Sequence, residues 1–347
     1  MERQHSRARF QAALHRHAAQ PRHRRYRRGA AGGVPPLLNL LAVETSCDET
    51  AAAVIRDGRT VVSSVVASQI PLHALHGGVV PELAARAHLE ALSPTVDSAL
   101  AQLEGGWQAI DAVAVTRGPG LPGCLLVGTS YAQAVAAARR LPITGVSHMA
   151  GHVYSAWLAD PGLEPPWVSL VVSGGHTDCV EIPEHGRALR VASTRDDAAG
   201  EAFDKVGRML GLPYPGGPAV ERAAAEAGDL RVELPRTRID GAFSFSGLKT
   251  AVRYTIRDLP PDELDSTGVP RRREVACAIA AAFQRAAVDQ LVHGLDVAVT
   301  NAGAERISVV GGVAANRALR TAVEANFKGL TVVVPPMSLC TDNAAMI

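Results

Sequence analysis

The chain has 347 residues, 47% of them hydrophobic, enough for one large domain or for two lobes each with its own core. No uninterrupted apolar stretch approaches the roughly 20 residues that cross a bilayer, so no transmembrane span and no membrane partner is predicted. The formal charge of +1 conceals a split: residues 1–37 hold nine Arg against Glu2 alone, and the remainder carries 26 basic and 33 acidic side chains, near −7, so bulk charge cannot hold a nucleic-acid backbone and any such contact requires a local basic patch, the tail or a partner subunit.

Residues 1–37, with Arg22, Arg24, Arg25, Arg27 and Arg28 among His and Gln, have no apolar periodicity and are predicted to form a disordered Arg-rich tail. No apolar stretch with a cleavage site follows, which argues against a secretory signal; an Arg-rich transit peptide or a misplaced start codon stays open. Short apolar runs at 38–43, 51–55 and 61–67, with Asp57-Gly58 as a turn, then predict an antiparallel meander. A helix is expected over 81–103, kinked at Pro94, followed by a strand over 110–116, a loop over 118–123 and a helix over 125–140. A second set starts near Ser147, with strands Trp167–Val172 and Arg306–Val310 and helices over 218–227, 274–300 and 316–327. Two similar sets of a meander followed by helices suggest an α/β, actin-like duplicated fold. Cys47, Cys124, Cys179, Cys277 and Cys340 are odd in number and widely spaced, so neither a disulfide framework nor a Cys-rich zinc site is indicated, and a reducing cytoplasm fits best.

Several loops can carry chemistry. ETSCDET (44–50) occupies the first turn of the meander, where backbone N–H groups can meet a phosphate and Asp48 and Glu49 can hold a metal or accept a proton; an ordinary Asp- and Ser-rich turn is the plainer reading. GPGLPG (118–123) matches the G-x-G-x-x-G fingerprint, but no acid follows before Asp160 to grip a ribose, so a dinucleotide site is disfavoured. SHMAGH (147–152) opens a helix with Ser147 as N-cap, and its i, i+4 spacing puts His148 and His152 on one face as a half-site for zinc or iron. Met149 and Ala150 stand where a metalloprotease needs its Glu, and chance pairing among 12 His is the alternative until a third ligand is found. SGGHT (173–177) and GGVAAN (311–316) end strands with double glycines suited to close anion approach, and Asn316 can reach a ribose or base edge. Asp196 and Asp197 are expected in the first turn of a helix, as caps. Lys249 of FSFSGLKT (243–250) is either a phosphate or RNA contact or a solvated loop lysine.

Taken together, ETSCDET, HGGVVPELAAR, GPGLPG, SHMAGH, SGGHT, DDAAGEAFDKVGRMLGLPYPGGP, FSFSGLKT, GGVAANR and CTDNAAMI resemble, in order and spacing, the TsaD family of bacterial tRNA threonylcarbamoyladenosine transferases from about residue 40 onward. The resemblance implies an actin-like (ASKHA) two-lobe fold with a nucleotide and metal cleft between lobes. The expected division is lobe I at 38–147 plus 336–347 and lobe II at 148–335. It implies transfer of a threonylcarbamoyl group from threonylcarbamoyl-AMP to N6 of the tRNA adenosine at position 37, with release of AMP. It also implies His148, His152 and Asp342 as ligands of one divalent metal, iron(II) first and zinc second, and Val171, Val172, Ser173, Gly174, Gly175, Asp204, Gly217, Glu221 and Asn316 as substrate-binding positions. Asp48 or Glu49 is expected to accept the proton of the attacking amine. A small actin-like paralogue (TsaB) and an ATPase (TsaE) are the implied partners. The chain departs from the family in its Arg-rich tail, in Ala150 where a Glu is usual, and in stopping at Ile347, for which a truncated sequence is the expectation. A non-catalytic actin-like subunit of the same pathway and an ASKHA-type kinase or ATPase are the competing readings.

Overall fold

The computed structural model describes residues 37–236, 238–239 and 241–347, so the disorder expected for the Arg-rich tail lies, but for Leu37, outside the described residues. Three strands come first, β1 (Asn39–Glu44), β2 (Glu49–Arg56) and β3 (Thr60–Ser68). They pair as the antiparallel meander expected, with Leu41 opposite Val54 and Ala42 opposite Ala53. Asp57 and Gly58 turn the second hairpin at φ of 52° and 72°, the left-handed pair that suits the twist of its flanking strands.

After the short α1 (Ile70–Ala74) come α2 (Pro81–Leu100) and α3 (Pro122–Arg139), with β4 (Ala112–Gly118) between them and β5 (Ile143–Ser147) after. Pro94 sits inside α2 without ending it. β4 and β5 extend the sheet in parallel, giving the order β3-β2-β1-β4-β5. Because side chains alternate along a strand, β1 serves two faces. Leu41 and Val43 bury against Leu92 and Val96 of α2 and Ala132 of α3, each large side chain contributing about 1.5–3 kcal/mol. On the other face Ala42, Ala51, Ala53 and Ala114 form a flat patch that receives Ala344 and Ala345 from the end of the chain.

The second sheet repeats the plan. β6 (Trp167–Val172), β7 (Thr177–Glu184) and β8 (Arg187–Thr194) make a meander, β10 (Arg306–Val310) and β11 (Thr331–Val333) add in parallel beside β6, and the two-residue β9 (Ala242–Phe243) lies at the far edge. Setting β9 aside, both sheets have the same strand order and the same alternation of antiparallel and parallel pairs, which is the duplication an actin-like fold requires.

Helix α4 (His148–Ala159) lies between the sheets: Met149, Val153 and Ala156 pack on Trp167, Val171 and Val310 of the second, and Leu158 on the alanine face of the first. The outer face of the second sheet is covered by α5 (Ala199–Met209), α6 (Gly216–Ala225), α7 (Ser246–Arg257), α8 (Arg273–Ala302) and α9 (Arg317–Asn326), and α10 (Met337–Cys340) closes the run. By length and mean hydropathy, 1.3, α8 is apolar enough for a membrane-crossing helix, although Arg285 and Asp289 interrupt its apolar run. It is a core helix instead, 83% of its apolar window being buried and Phe283 meeting Phe203 of α5 edge-on at 5.0 Å. Helix α6 starts at Gly216 rather than Pro218 because Asp204 of α5 accepts the Gly216 N–H at 2.7 Å, a contact no local pattern reveals.

Candidate metal centre between the sheets

Helix α4 starts where β5 ends, and the Ser147 hydroxyl accepts from the Ala150 N–H at 3.5 Å, as an N-cap should. Helical spacing then sets His148 and His152 one turn apart, both buried, with ring centroids 4.6 Å apart. Asp342, just past α10, completes the group. Its Oδ1 lies 3.1 Å from His152 Nε2 and 3.6 Å from His148 Nε2, and one ligand atom from each residue falls within 4.8 Å of the others.

Hydrogen bonding shows what the group suits. His148 Nδ1 meets Glu44 Oε2 at 3.0 Å, which aims Nε2 at Asp342. Glu44, fully buried at the end of β1, also accepts from the Thr116 hydroxyl at 2.5 Å and from the Ser46 N–H. Both ring nitrogens of His152 are buried without a hydrogen-bond partner, since its approach to Asp342 is close but not aligned as N–H···O. Such orphaned atoms are costly in protein alone. Two imidazole nitrogens and a carboxylate oxygen, one imidazole held by a buried carboxylate behind it, fit a divalent metal of the zinc or iron kind.

The same three groups are coupled electrostatically, as ion pairs whose protons a bound cation would displace. Burial opposes ionisation of Asp342, yet the charges of His148 and His152 outweigh it and hold the carboxyl below the usual carboxylate range. Burial likewise opposes a charge on His148, but Asp342 and Glu44 raise it to about 9. His176, half-buried nearby, is driven down to about 4 by burial and by the charges of His148 and His152.

Asp48 and Glu49 continue from Glu44 around the first turn. Burial raises both, with the charge of Asp342 adding to the effect on Asp48; Glu49 reaches about 7 despite accepting from the Ser68 hydroxyl at 2.8 Å. Glu49 Oε2 is buried and unpartnered. Across the crevice, burial and the charge of Asp48 raise Asp204 of α5 as well. GPGLPG packs against this turn: a Cβ on Gly120 would fall 2.6 Å from the Ser46 carbonyl, and the Leu121 N–H donates to that carbonyl at 2.8 Å. Its glycine serves close approach to the turn, not a dinucleotide.

The remaining expected positions divide. Ser173, Gly174 and Gly175 form the turn after β6, and Gly174, Gly175 and Gly217 have nothing within 4 Å of where a Cβ would stand. Val171 and Val172 are buried in β6, their backbones laddered to Asp178 and Thr177. The Asn316 side chain is committed, its Oδ1 capping α9 by accepting from the Leu319 N–H at 3.0 Å and its Nδ2 donating to Gln284 at 2.9 Å. Glu221 accepts from Arg317, at its N–H at 3.0 Å and its Nε at 3.1 Å. Asp196 and Asp197 are not helix caps: Ala198 holds that position in α5. Asp196 instead accepts from the Ser244 and Ser246 hydroxyls at 2.5 and 2.7 Å, and Asp197 pairs with Lys205 and Lys249, so Lys249 is engaged by a carboxylate. Glu44 is the residue the sequence reading overlooked, although an acid ending the apolar run LLAVE is a visible sign of a buried charge with a task.

A family model described as TsaD: tRNA N6-adenosine threonylcarbamoyltransferase matches residues 60–347. A curated relative of that description from Geobacter metallireducens is 51% identical over 313 residues, covering 89% of each chain. Another, from Gloeobacter violaceus, is 46% identical over 318 residues, covering 90% of this chain and 89% of its own. Among solved structures, T. kodakarensis HypF aligns at a TM-score of 0.60 and 13% identity over 90% of this chain and 47% of that one. Component A of the Acidaminococcus fermentans (R)-2-hydroxyglutaryl-CoA dehydratase aligns at 0.54 and 14% identity, over 89% and 96%. At those identities the two structures speak for the fold alone.

Proposed function

The chain belongs to the TsaD family of tRNA N6-adenosine threonylcarbamoyltransferases, and on that premise we propose that the crevice between its sheets carries the transfer from threonylcarbamoyl-AMP to N6 of the tRNA adenosine at position 37. The enzyme is an acyltransferase that modifies tRNA. What supports the location is one observation, the convergence of His148, His152 and Asp342 from distant parts of the chain. A non-catalytic actin-like subunit or a kinase has no need of that cluster. We read His148 and His152 as ligands through Nε2 and Asp342 through Oδ1, with iron(II) ahead of zinc. A bound ion there supplies a Lewis acid that polarises substrate oxygens and offsets charge on the departing phosphate. With an ion bound, Glu44 would hold the remaining proton of His148 on Nδ1 and leave Nε2 to coordinate.

In the transfer, N6 bonds to the carbamoyl carbon, the bond from that carbon to the AMP phosphate oxygen breaks, and N6 gives up a proton. An exocyclic adenine amine is a weak nucleophile, so holding it against the carbon contributes much of the acceleration. Glu49 takes the proton: with its carboxyl at about 7, it is largely ionised just above neutrality and still basic enough to act. Asp48 keeps the turn acidic toward the crevice. On the other lobe the open turn at Gly174 and Gly175 presents backbone N–H groups to the nucleotide, Ser173 closes that turn by donating its N–H to the His176 carbonyl at 2.9 Å, and Asp204 fixes the loop at Gly216 and Gly217 by accepting from their backbone. Val171 and Val172 anchor that first turn, while Asn316 and Glu221 set the start of α9 behind it.

Lobe limits at 38–147 with 336–347 and at 148–335, the paralogue and ATPase partners, and a cytoplasmic setting consistent with five free cysteines complete the reading. Metal-loaded protein with those partners, unmodified tRNA and threonylcarbamoyl-AMP should yield threonylcarbamoyladenosine, detected by nucleoside mass spectrometry. Asp342→Asn should lose its metal and activity by about tenfold or more. No product from the loaded wild type defeats the function, and full activity and stoichiometric metal in the variant defeat the site.

A further inference from the structure

HGGVVPELAAR (76–86) has no part in the reaction as described, yet it joins the two lobes. Gly77, at φ of 65°, presents its carbonyl to Arg208 Nη2 of α5, on the opposite lobe. The loop is held from behind by His73 of α1, whose backbone carbonyl accepts from the Gly78 N–H at 3.2 Å and whose Nδ1 accepts from the Val80 N–H at 3.3 Å. Three buried side chains continue inward. His73 Nε2 meets Gln69 Oε1 at 3.1 Å, Gln69 Nε2 meets His88 Nδ1 at 3.3 Å, and His88 Nε2 meets the Cys47 carbonyl at 3.0 Å. The Gln69 N–H also donates to the Asp48 carbonyl at 3.0 Å, and the Thr50 hydroxyl meets His88 Nδ1 at 2.7 Å.

The chemistry of the two ends fixes every proton between them. A backbone N–H can only donate, so His73 Nδ1 is bare and its proton sits on Nε2. A carbonyl can only accept, so His88 carries its proton on Nε2 and is bare at Nδ1. The Gln69 amide, oxygen toward His73 and nitrogen toward His88, matches both. Each bond therefore points the same way, from Val80 to Cys47, and a chain of this kind is stiffer than its separate bonds because each polarises the next. Burial lowers both imidazoles, which keeps them neutral as the chain demands. It ends on the carbonyl directly before Asp48 and Glu49.

We propose that Arg208 and Gln69 are positioning residues for the transfer reaction: Arg208 engages Gly77 when the lobes close, and the His73-Gln69-His88 chain passes that engagement to the turn bearing Asp48 and Glu49. The inference rests on the reading of that turn as the one facing the attacking amine. Displacing the turn by a fraction of an ångström is enough to slow the reaction without removing any group that touches substrate.

Steady-state transfer is measured for metal-loaded wild type, Arg208→Ala, Arg208→Lys, Gln69→Leu and the double variant Arg208→Ala/Gln69→Leu, with metal content and melting temperature recorded for each. Arg208 is exposed, so its variants should fold and keep their metal. Arg208→Ala is expected to lower kcat by about tenfold with metal unchanged, and Arg208→Lys, which still donates to a carbonyl, to restore most of it. In the Gln69→Leu background Arg208→Ala should cause little further loss, because the link is already cut. If Gln69→Leu does not fold, Gln69→Glu, which keeps the acceptor for His73 but loses the donor to His88, takes its place in the cycle. Wild-type kcat in Arg208→Ala, or losses that simply multiply in the double variant, overturns the proposal while an active wild type leaves the transferase reading intact.

Discussion

Glu44→Gln should weaken metal binding by about 10- to 100-fold while leaving the fold in place, and the reason lies in the proton count around one buried carboxylate. Glu44 accepts from three directions: the Ser46 N–H on Oε1, and the Thr116 hydroxyl and His148 Nδ1 on Oε2. Glutamine has the same shape but only one acceptor oxygen. If the amide nitrogen replaces Oε2, Thr116 can rotate its hydroxyl to accept, but His148 must shift its proton from Nδ1 to Nε2, the nitrogen aimed at Asp342. If the nitrogen replaces Oε1, it confronts the Ser46 N–H and leaves a buried donor unpaired, which costs about 1–3 kcal/mol. The first arrangement penalises the metal and the second the fold, so the protein settles near the cheaper one. The usual effect of removing a partner behind a metal-bound His is about 10–100-fold in affinity, or about 1.4–2.7 kcal/mol. Competition with a chelator of known affinity at fixed pH reads this directly, with circular dichroism as the control for folding. An affinity within about twofold of the wild type would refute the claim that Glu44 sets the His148 tautomer.

Glu49→Gln should lower the transfer rate by about 10²–10⁴-fold. In the wild type the rate should climb as pH rises through about 7, where burial places this carboxyl, and the variant should lose that rise; a variant with the wild-type pH profile would rule Glu49 out as proton acceptor. The same shift has a stability signature. A carboxyl raised in the folded state favours folding most below its unfolded value near 4.5 and loses that contribution as pH climbs through 7, so melting temperatures of wild type and Glu49→Gln should diverge across that window. Gly216→Ala would set a Cβ 2.4 Å from the Asp204 Cα, so urea unfolding should show a loss of about 1–3 kcal/mol, and an unchanged midpoint would mean that α5 and α6 can separate freely.

Much of the fold was legible because it is written in short-range pattern. The β6 run WVSLVV is buried at every position and coincides with its predicted limits, as does Arg306–Val310. Ser147 announced the start of α4, and the i, i+4 histidines followed from it. What stayed hidden depends on partners far away in sequence. Asp196 and Asp197 resemble helix caps until the FSFSGLKT loop is folded onto them, and Lys249 looks free until Asp197 claims it. Asn316 looked available to a ribose until its cap and Gln284 were seen. Asp342 entered through family resemblance, since nothing near it pointed back to His148. Gln69, His73 and His88 lie on two helices and the residue before one of them, and only the packing of α1 beside α2 turns them into one chain.

The provenance of the three metal donors has one more consequence. Two come from a helix seated on the second sheet, and the third from a chain end whose Ala344 and Ala345 are seated on the first. An ion gripping all three is therefore a rivet through both halves, fastening a span of more than half the polypeptide into a ring. Pulling the rivet leaves the halves tied by the packing of α4 and by the Arg208–Gly77 contact, so nucleotide affinity, closure and resistance to heat should decline in step as a chelator is added, along one shared curve.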